Sequence, residues 1–186
     1  MSWQKEIRSK IGYWLVGNFF HNIFRPPYFE FLKKSLPSDF LNREICDLGC
    51  GDGSATIKLK DLFRAKNIKG YEINDSLIKK ARKRGIAVEK IDLEKEVPYG
   101  EMATIWAVIH HLKNKEGFLN RVRANFNYAV IVEPIKCWWA FLDGGEPLLE
   151  KEWEELFDKT LGGCVSLKFR DNIYIFWKKK TIDEKE

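Results

Sequence analysis

The chain has 186 residues, a length that suits one domain of ordinary size. Its 45% hydrophobic, 32% charged and 14% aromatic residues exclude a wholly disordered chain and provide for a sizeable core. The formal charge of +5 is mild: it tolerates an anionic partner, RNA included, without demanding one.

The elements follow in chain order. Residues 2–36 read as helical, with Trp3, Ile7, Ile11, Trp14 and Leu15 on one face. Pro26-Pro27 is expected to end or break that segment, with a second short helix through Tyr28 to Leu32. The longest apolar stretch, Ile11 to Phe24, is interrupted by Gly12, Gly17, Asn18, His21 and Asn22, too short and too polar to span a bilayer. Basic residues precede it as in a signal peptide, but no small-residue cleavage site follows, so the expectation is a cytoplasmic protein.

From Arg43 the pattern changes to alternating strands and helices. Strands are predicted at 44–48, 68–72, 86–92, 102–107 and 128–133, with helices at 56–63, from Asn74 or Asp75 to Arg84, at 116–124 and at 148–161. The last helix should turn Leu149, Trp153, Leu156 and Phe157 inward and stop at Gly162-Gly163. Residues 165–169 and 173–177 flank Asp171-Asn172 as a hairpin. The expected fold is α/β: a Rossmann-like, doubly wound, mainly parallel seven-stranded sheet with an antiparallel C-terminal hairpin and N-terminal helices. Residues 1–40 are expected to form a helical lid, 41–180 the main domain and 181–186 a frayed tail.

Cys46, Cys50, Cys137 and Cys164 form no paired units and no zinc-like spacing, so they read as free thiols in a reducing compartment, with no metal site.

In a doubly wound sheet, ligands bind beyond the carboxyl ends of the strands, so the loop after the first strand is the first place to look. It reads Asp47-Leu48-Gly49-Cys50-Gly51-Asp52-Gly53. Glycines let a ligand approach main-chain amides, and the following helix offers N–H groups to an anion. NAD-binding folds share such a turn, but Ser54 stands where their third glycine would be. Acidic residues at Asp47, Glu72 and Asp92 end three successive strands, which suits a cationic ligand better than a pyrophosphate.

This segment resembles the first motif of the class I S-adenosylmethionine (SAM)-dependent methyltransferases, and the resemblance extends over about Arg43 to Lys180. Gly70-Tyr71-Glu72-Ile73-Asn74 is similar to the second motif, Lys90-Ile91-Asp92-Leu93 to the third, and Ile105 to Leu112, with His110-His111-Leu112 at its end, to the fourth. Val132-Glu133-Pro134 resembles the end of strand five in the small-molecule branch. The resemblance implies that SAM is the cofactor and S-adenosylhomocysteine (SAH) the product. It implies that the Gly49, Cys50 and Gly51 backbone holds the methionine carboxylate, with Asp47 helping to place the ammonium group. Glu72 would take both ribose hydroxyls, Ile73 and Leu93 would sandwich the adenine, and Asp92 with the Leu93 backbone would read its edge.

Transfer from a sulfonium is an in-line displacement that needs alignment above all, and a base only if the acceptor must lose a proton. His110, His111 and Glu133 are the catalytic candidates; each also has a structural reading, Glu133 as a carboxylate that binds backbone amides. Trp106 either walls the methionine or acceptor pocket or is a core ring. No polar residue followed by Pro-Pro occupies residues 105–108, which argues against amino-group methylation of nucleic-acid bases. The aromatic N-terminus, from Trp3 to Phe31 with interleaved basic residues, suits a lid, a peripheral membrane contact or a stacking surface for single-stranded RNA. The expected function is methyl transfer to a small-molecule acceptor. The alternatives are an RNA methyltransferase, to which Lys178-Lys179-Lys180 would lend charge, and a non-catalytic binding subunit.

Overall fold

A computed structural model describes residues 21–137 and 144–180, with side chains from residue 26 onward in the first helix. The expectations for residues 1–20, the aromatic face among them, and for the tail at 181–186 lie outside the described residues.

Helix α1 (His21–Ser35) corrects the expectation of a break, because it continues through Pro26 and Pro27. Each proline removes an N–H that would bond the carbonyl one turn back. Packing holds α1 from outside instead. Leu32 is fully buried, Phe29 stacks on Trp106 at 4.5 Å between centroids, and Phe31 stacks on Phe169 at 4.6 Å.

The strands are β1 (Glu44–Leu48), β2 (Asn67–Glu72), β3 (Ala87–Lys90), β4 (Met102–Trp106), β5 (Tyr128–Pro134), β6 (Val165–Phe169) and β7 (Asn172–Lys178). They form one seven-stranded sheet in the order β3-β2-β1-β4-β5-β7-β6. β1 to β5 pair in parallel, while β7 runs antiparallel to both β5 and β6. Among the described residues four α-helices follow α1: α2 (Ser54–Phe63), α3 (Asp75–Lys83), α4 (Lys115–Asn125) and α5 (Glu150–Thr160). The fold is the Rossmann-like one expected, with β3 shorter than its predicted span of 86–92.

Strand β4 shows why the sheet is covered on both faces. Met102 to Ile105 are all buried, and successive side chains leave by opposite faces. Ala103 and Ile105 pack with Phe118 and Val122 of α4 and with Trp153 and Phe157 of α5. Met102 and Trp106 pack on the other face with Phe29 and Leu32 of α1 and Leu59 and Phe63 of α2. A smaller cluster joins Cys50 and Val88 to Ile78 and Ala81 of α3.

Local chemistry sets the ends of the elements. The Asn74 side chain caps α3 by accepting from the Ser76 and Leu77 amides, and Asn114 caps α4 through Gly117. Leu149, expected to face inward, is 51% exposed because it is the residue before α5, its N–H donating to Glu152 Oε2. The hairpin turns at Arg170 (φ 55°) and Asp171, one residue earlier than expected, so that Asn172 begins β7. All four cysteines are free; Cys50 is buried and the other three are partly so. Among the described residues, no helix is long and apolar enough to cross a membrane.

Two consequences are measurable. Trp153 is fully buried, stacks on Phe157 and donates its indole N–H to the Pro134 carbonyl at 3.0 Å. Trp153→Ala should therefore cost about 3–5 kcal/mol in urea unfolding. The Tyr28 hydroxyl donates to Asp171 Oδ1 at 2.5 Å and joins α1 to the hairpin. Burial, then the hydrogen bond and charge of Asp171, push its pKa up to about 12, against the opposing pull of Arg170. The folded value lies above the ordinary one, so this contribution is full below pH 10 and is lost as pH rises to about 12. Alkaline unfolding followed by circular dichroism should show this loss, and Tyr28→Phe should remove it.

Candidate active site

The strand order reverses beside β1, where β2 lies to one side and β4 to the other, so the loops at the carboxyl ends of these strands are the place for a ligand. The loop that follows β1 is held there by backbone bonds. The amides of Gly49 and Cys50 both donate to the Tyr71 carbonyl, at 2.8 and 3.1 Å, and Gly53 N donates to the Cys50 carbonyl. Gly49 has φ 75°, and a Cβ on it would lie 2.5 Å from Val108 Cγ2, so only glycine fits between β1 and the turn after β4. Gly70 serves close approach in the same way: a Cβ there would lie 2.6 Å from Cys50 Sγ. Burial, then the nearby Asp47 and Glu72 charges, push the Cys50 thiol far above its ordinary pKa, so it stays protonated and unreactive.

Three carboxylates surround this opening. Asp47 is 2% exposed and accepts from Thr56 Oγ1 at 2.5 Å and from Thr104 Oγ1 at 2.8 Å. Glu72 ends β2 with one oxygen on Gly51 N at 3.0 Å and the other on the amides of Ile73 and Asn74, each at 2.9 Å. Glu133 is fully buried and accepts from the amides of Val108 and Ile109 at 2.8 Å and of His110 at 3.3 Å.

The same Glu133 lies 2.7 Å from His110 Nδ1, which favours a proton on that nitrogen. His110 is 1% exposed, whereas His111 is exposed, its ring centroid 4.0 Å from that of His110. The Gly145 backbone passes against both rings, since a Cβ there would lie 2.1 Å from His110 Cδ2 and 3.1 Å from His111 Nδ1. Ala107, between Trp106 and this turn, takes φ 55°, a strained value for a residue with a side chain.

The remaining predicted residues are spread around the rim. Ile73 is a large apolar side chain left 54% exposed at the end of β2, while Leu93 is 7% exposed. Asp92 accepts from the Glu94 amide at 3.1 Å and pairs with Lys95 at 3.2 Å. Trp106 is half-buried and faces α1 through its stack on Phe29. Among the described residues, no group of three or more His, Cys, Asp or Glu side chains is arranged to hold a metal ion.

Sequence reasoning passed over Thr56, Thr104 and Gly145, and placed Phe29 in the aromatic N-terminus without its partner Trp106. Thr104 did carry a signal, as the one polar residue in an otherwise apolar strand. Gly145 carried none, because its role depends on a loop path that no local pattern specifies.

A family described as a methyltransferase domain matches residues 19–166. Pavine N-methyltransferase of Thalictrum flavum subsp. glaucum is 29% identical over 122 residues, which is 60% of this chain and 34% of that protein. The match thus spans about a third of the length of this curated relative. Among solved structures, the DhpI–SAH complex aligns with a TM-score of 0.71 at 15% identity, over 95% of each chain. An S-adenosylmethionine-dependent methyltransferase of Clostridium acetobutylicum aligns with a TM-score of 0.68 at 10% identity, over 92% of this chain and 98% of that one. With most of its length inside the matched family and its sheet, glycine loop and strand-end carboxylates arranged as described, the chain belongs to the class I SAM-dependent methyltransferases.

Proposed function

We propose that the protein transfers the methyl group of SAM to a small-molecule acceptor. The observation that carries this reading is the glycine loop, fixed by Tyr71 and Glu72 and ringed by buried carboxylates at the ends of β1, β2 and β5. Such a site suits a ligand with an ammonium group and a sulfonium, and suits a pyrophosphate poorly.

On this reading the amides of Gly49 and Cys50, committed to the Tyr71 carbonyl, hold the loop open, while the Gly51 amide, once Glu72 releases it, and the first turn of α2 receive the methionine carboxylate. Glu72 receives the ribose hydroxyls, exchanging part of its hold on Gly51 N for them. Ile73, apolar and exposed, gains an adenine face to cover, and Leu93 packs from the other side with Asp92 at the edge. SAM supplies an electrophilic methyl group, so the chain itself needs to align the acceptor and exclude water.

His111 is the candidate proton acceptor, because its ring is exposed at the mouth while His110 is committed to Glu133. Glu133 and His110 act as the support of that mouth, and Trp106 as the link between the turn and α1. Helix α1 serves as part of the lid, a reading that the Phe29–Trp106 stack supports. The name of the plant relative, an N-methyltransferase of pavine, supports a small acceptor with a nucleophilic nitrogen.

Calorimetric titration should show binding of SAM that Gly51→Arg abolishes and Glu72→Ala weakens about tenfold or more. No binding of SAM or SAH at millimolar concentration would overturn the reading. Incubation with methyl-labelled SAM and a fractionated cell extract should place the label in the small-metabolite fraction; label in RNA or protein instead would exclude a small acceptor.

A further inference from the structure

Asp47 occupies the place at which the reading above puts the ammonium group of the donor, yet it is 2% exposed. Both of its oxygens are engaged, Oδ2 by Thr56 and Oδ1 by Thr104. These partners are placed by the fold and not by chance. Asp47 and Thr104 are register partners on the neighbouring parallel strands β1 and β4, so their side chains leave the sheet side by side on one face. Ile45 and Met102, two residues earlier on the same strands, pack on the face that α2 covers. Thr56 is the third residue of α2 and reaches back to Asp47 from that helix's first turn.

Two consequences follow from this triad. The hydroxyls hold the carboxylate in one place under the glycine loop, and as neutral dipoles they steady its charge without cancelling it. The Thr56 bond also ties the opening turn of α2 to the end of β1, which sets where the helix N-terminus points. Gly53, the residue before α2, contributes no side-chain cap, and Asp52 Oδ1, which accepts from the Ser54 amide at 3.1 Å, shares this task with the Thr56 bond.

An amino-acid zwitterion carries an ammonium for the fixed negative charge and a carboxylate for the helix N-terminus. We infer that Thr56 and Thr104 are positioning residues for the amino-acid end of the methyl donor, acting through Asp47 and the first turn of α2. The nucleoside end lies apart from them, at Glu72, Ile73, Asp92 and Leu93 on β2 and after β3. The inference rests on the SAM reading proposed above.

The test separates the two ends of the donor. Binding of SAM, SAH and 5′-methylthioadenosine, which shares the nucleoside end but lacks the amino-acid end, is measured by calorimetry for the wild type and for Thr56→Val, Thr104→Val, Thr56→Ser and Thr104→Ser. Valine keeps the shape of threonine and removes the hydroxyl, while serine keeps the hydroxyl. The valine variants should bind SAM and SAH about tenfold more weakly and 5′-methylthioadenosine as the wild type does. The serine variants should restore SAM binding. Asp47→Asn, which removes the charge and turns one acceptor oxygen into an N–H donor, should reproduce the valine pattern and covers the case in which a valine variant fails to fold. Unchanged SAM binding in the valine variants, or an equal loss for 5′-methylthioadenosine, would overturn the inference and leave the SAM reading intact. A wild type that binds none of the three would overturn that reading and the inference with it.

Discussion

The mouth of the cleft depends on one buried carboxylate. Glu133 is fully enclosed at the end of β5, where an isolated charge would cost several kcal/mol, on the order of those measured for broken buried pairs. It is stabilised by the amides of Val108, Ile109 and His110 and by the His110 ring. The chain after β4 must bend so that successive amides converge on one side chain, and Ala107 takes a left-handed conformation to allow it. The bend in turn sets Val108 against Gly49, which is why the first loop cannot carry a side chain there. It also buries one histidine and leaves its neighbour facing solvent. A glutamate on β5 thereby shapes the loop on β1 across the intervening β4, without touching it.

The same logic recurs on β1 and β2 with different donors. Asp47 is held by two hydroxyls and Glu72 by three amides. Dipolar donors steady a carboxylate and leave its charge in place, unlike a lysine or arginine that would neutralise it. Three such groups lie at the carboxyl ends of β1, β2 and β5 in a chain whose formal charge is +5. Less buried acidic groups add a cation: Asp75 pairs with Lys90, while Asp52 and Asp92 each accept from a backbone amide and also pair, with Arg84 and Lys95. Ion pairing thus enters as burial falls, in the glycine loop as well as on the outer surface.

Much of this was legible in the sequence wherever the signal was local. The span of β1 follows from Ile45, Cys46 and Leu48 in a short run before a glycine turn, and the Asn74 cap from a side chain that competes well for helix amides. The mainly parallel, doubly wound sheet follows from the alternation of strands and helices. The misread features have non-local causes. Pro26-Pro27 is a strong local signal for a break, overridden because Phe29, Leu32 and Phe31 find partners on the sheet and the hairpin. The residues that end as site candidates were visible one by one, but their partners were not. Asp47 and Thr104 are 57 positions apart, and Val108 and Glu133 are 25 apart. Register brings each pair together, and a single sequence does not print register.

This difference bears on where specificity can reside. On the proposed reading, the donor half of the site is built from strand ends and backbone amides, whose positions the sheet dictates, so it tolerates little change. The acceptor half is built from the edges of things: the exposed face of His111, the Gly145 backbone that crosses both histidines, and Trp106 under α1. Gly145 is closed to a side chain by the His110 ring, which a Cβ there would meet at 2.1 Å. Exchange at Trp106 or His111 leaves the four bonds to Glu133 in place, whereas exchange of Glu133 removes them all. Two proteins with this frame could hold the same methyl donor and differ entirely in what they methylate. Low identity to structures that share the fold is what such a division of labour produces, since the frame constrains few positions and the rim constrains almost none.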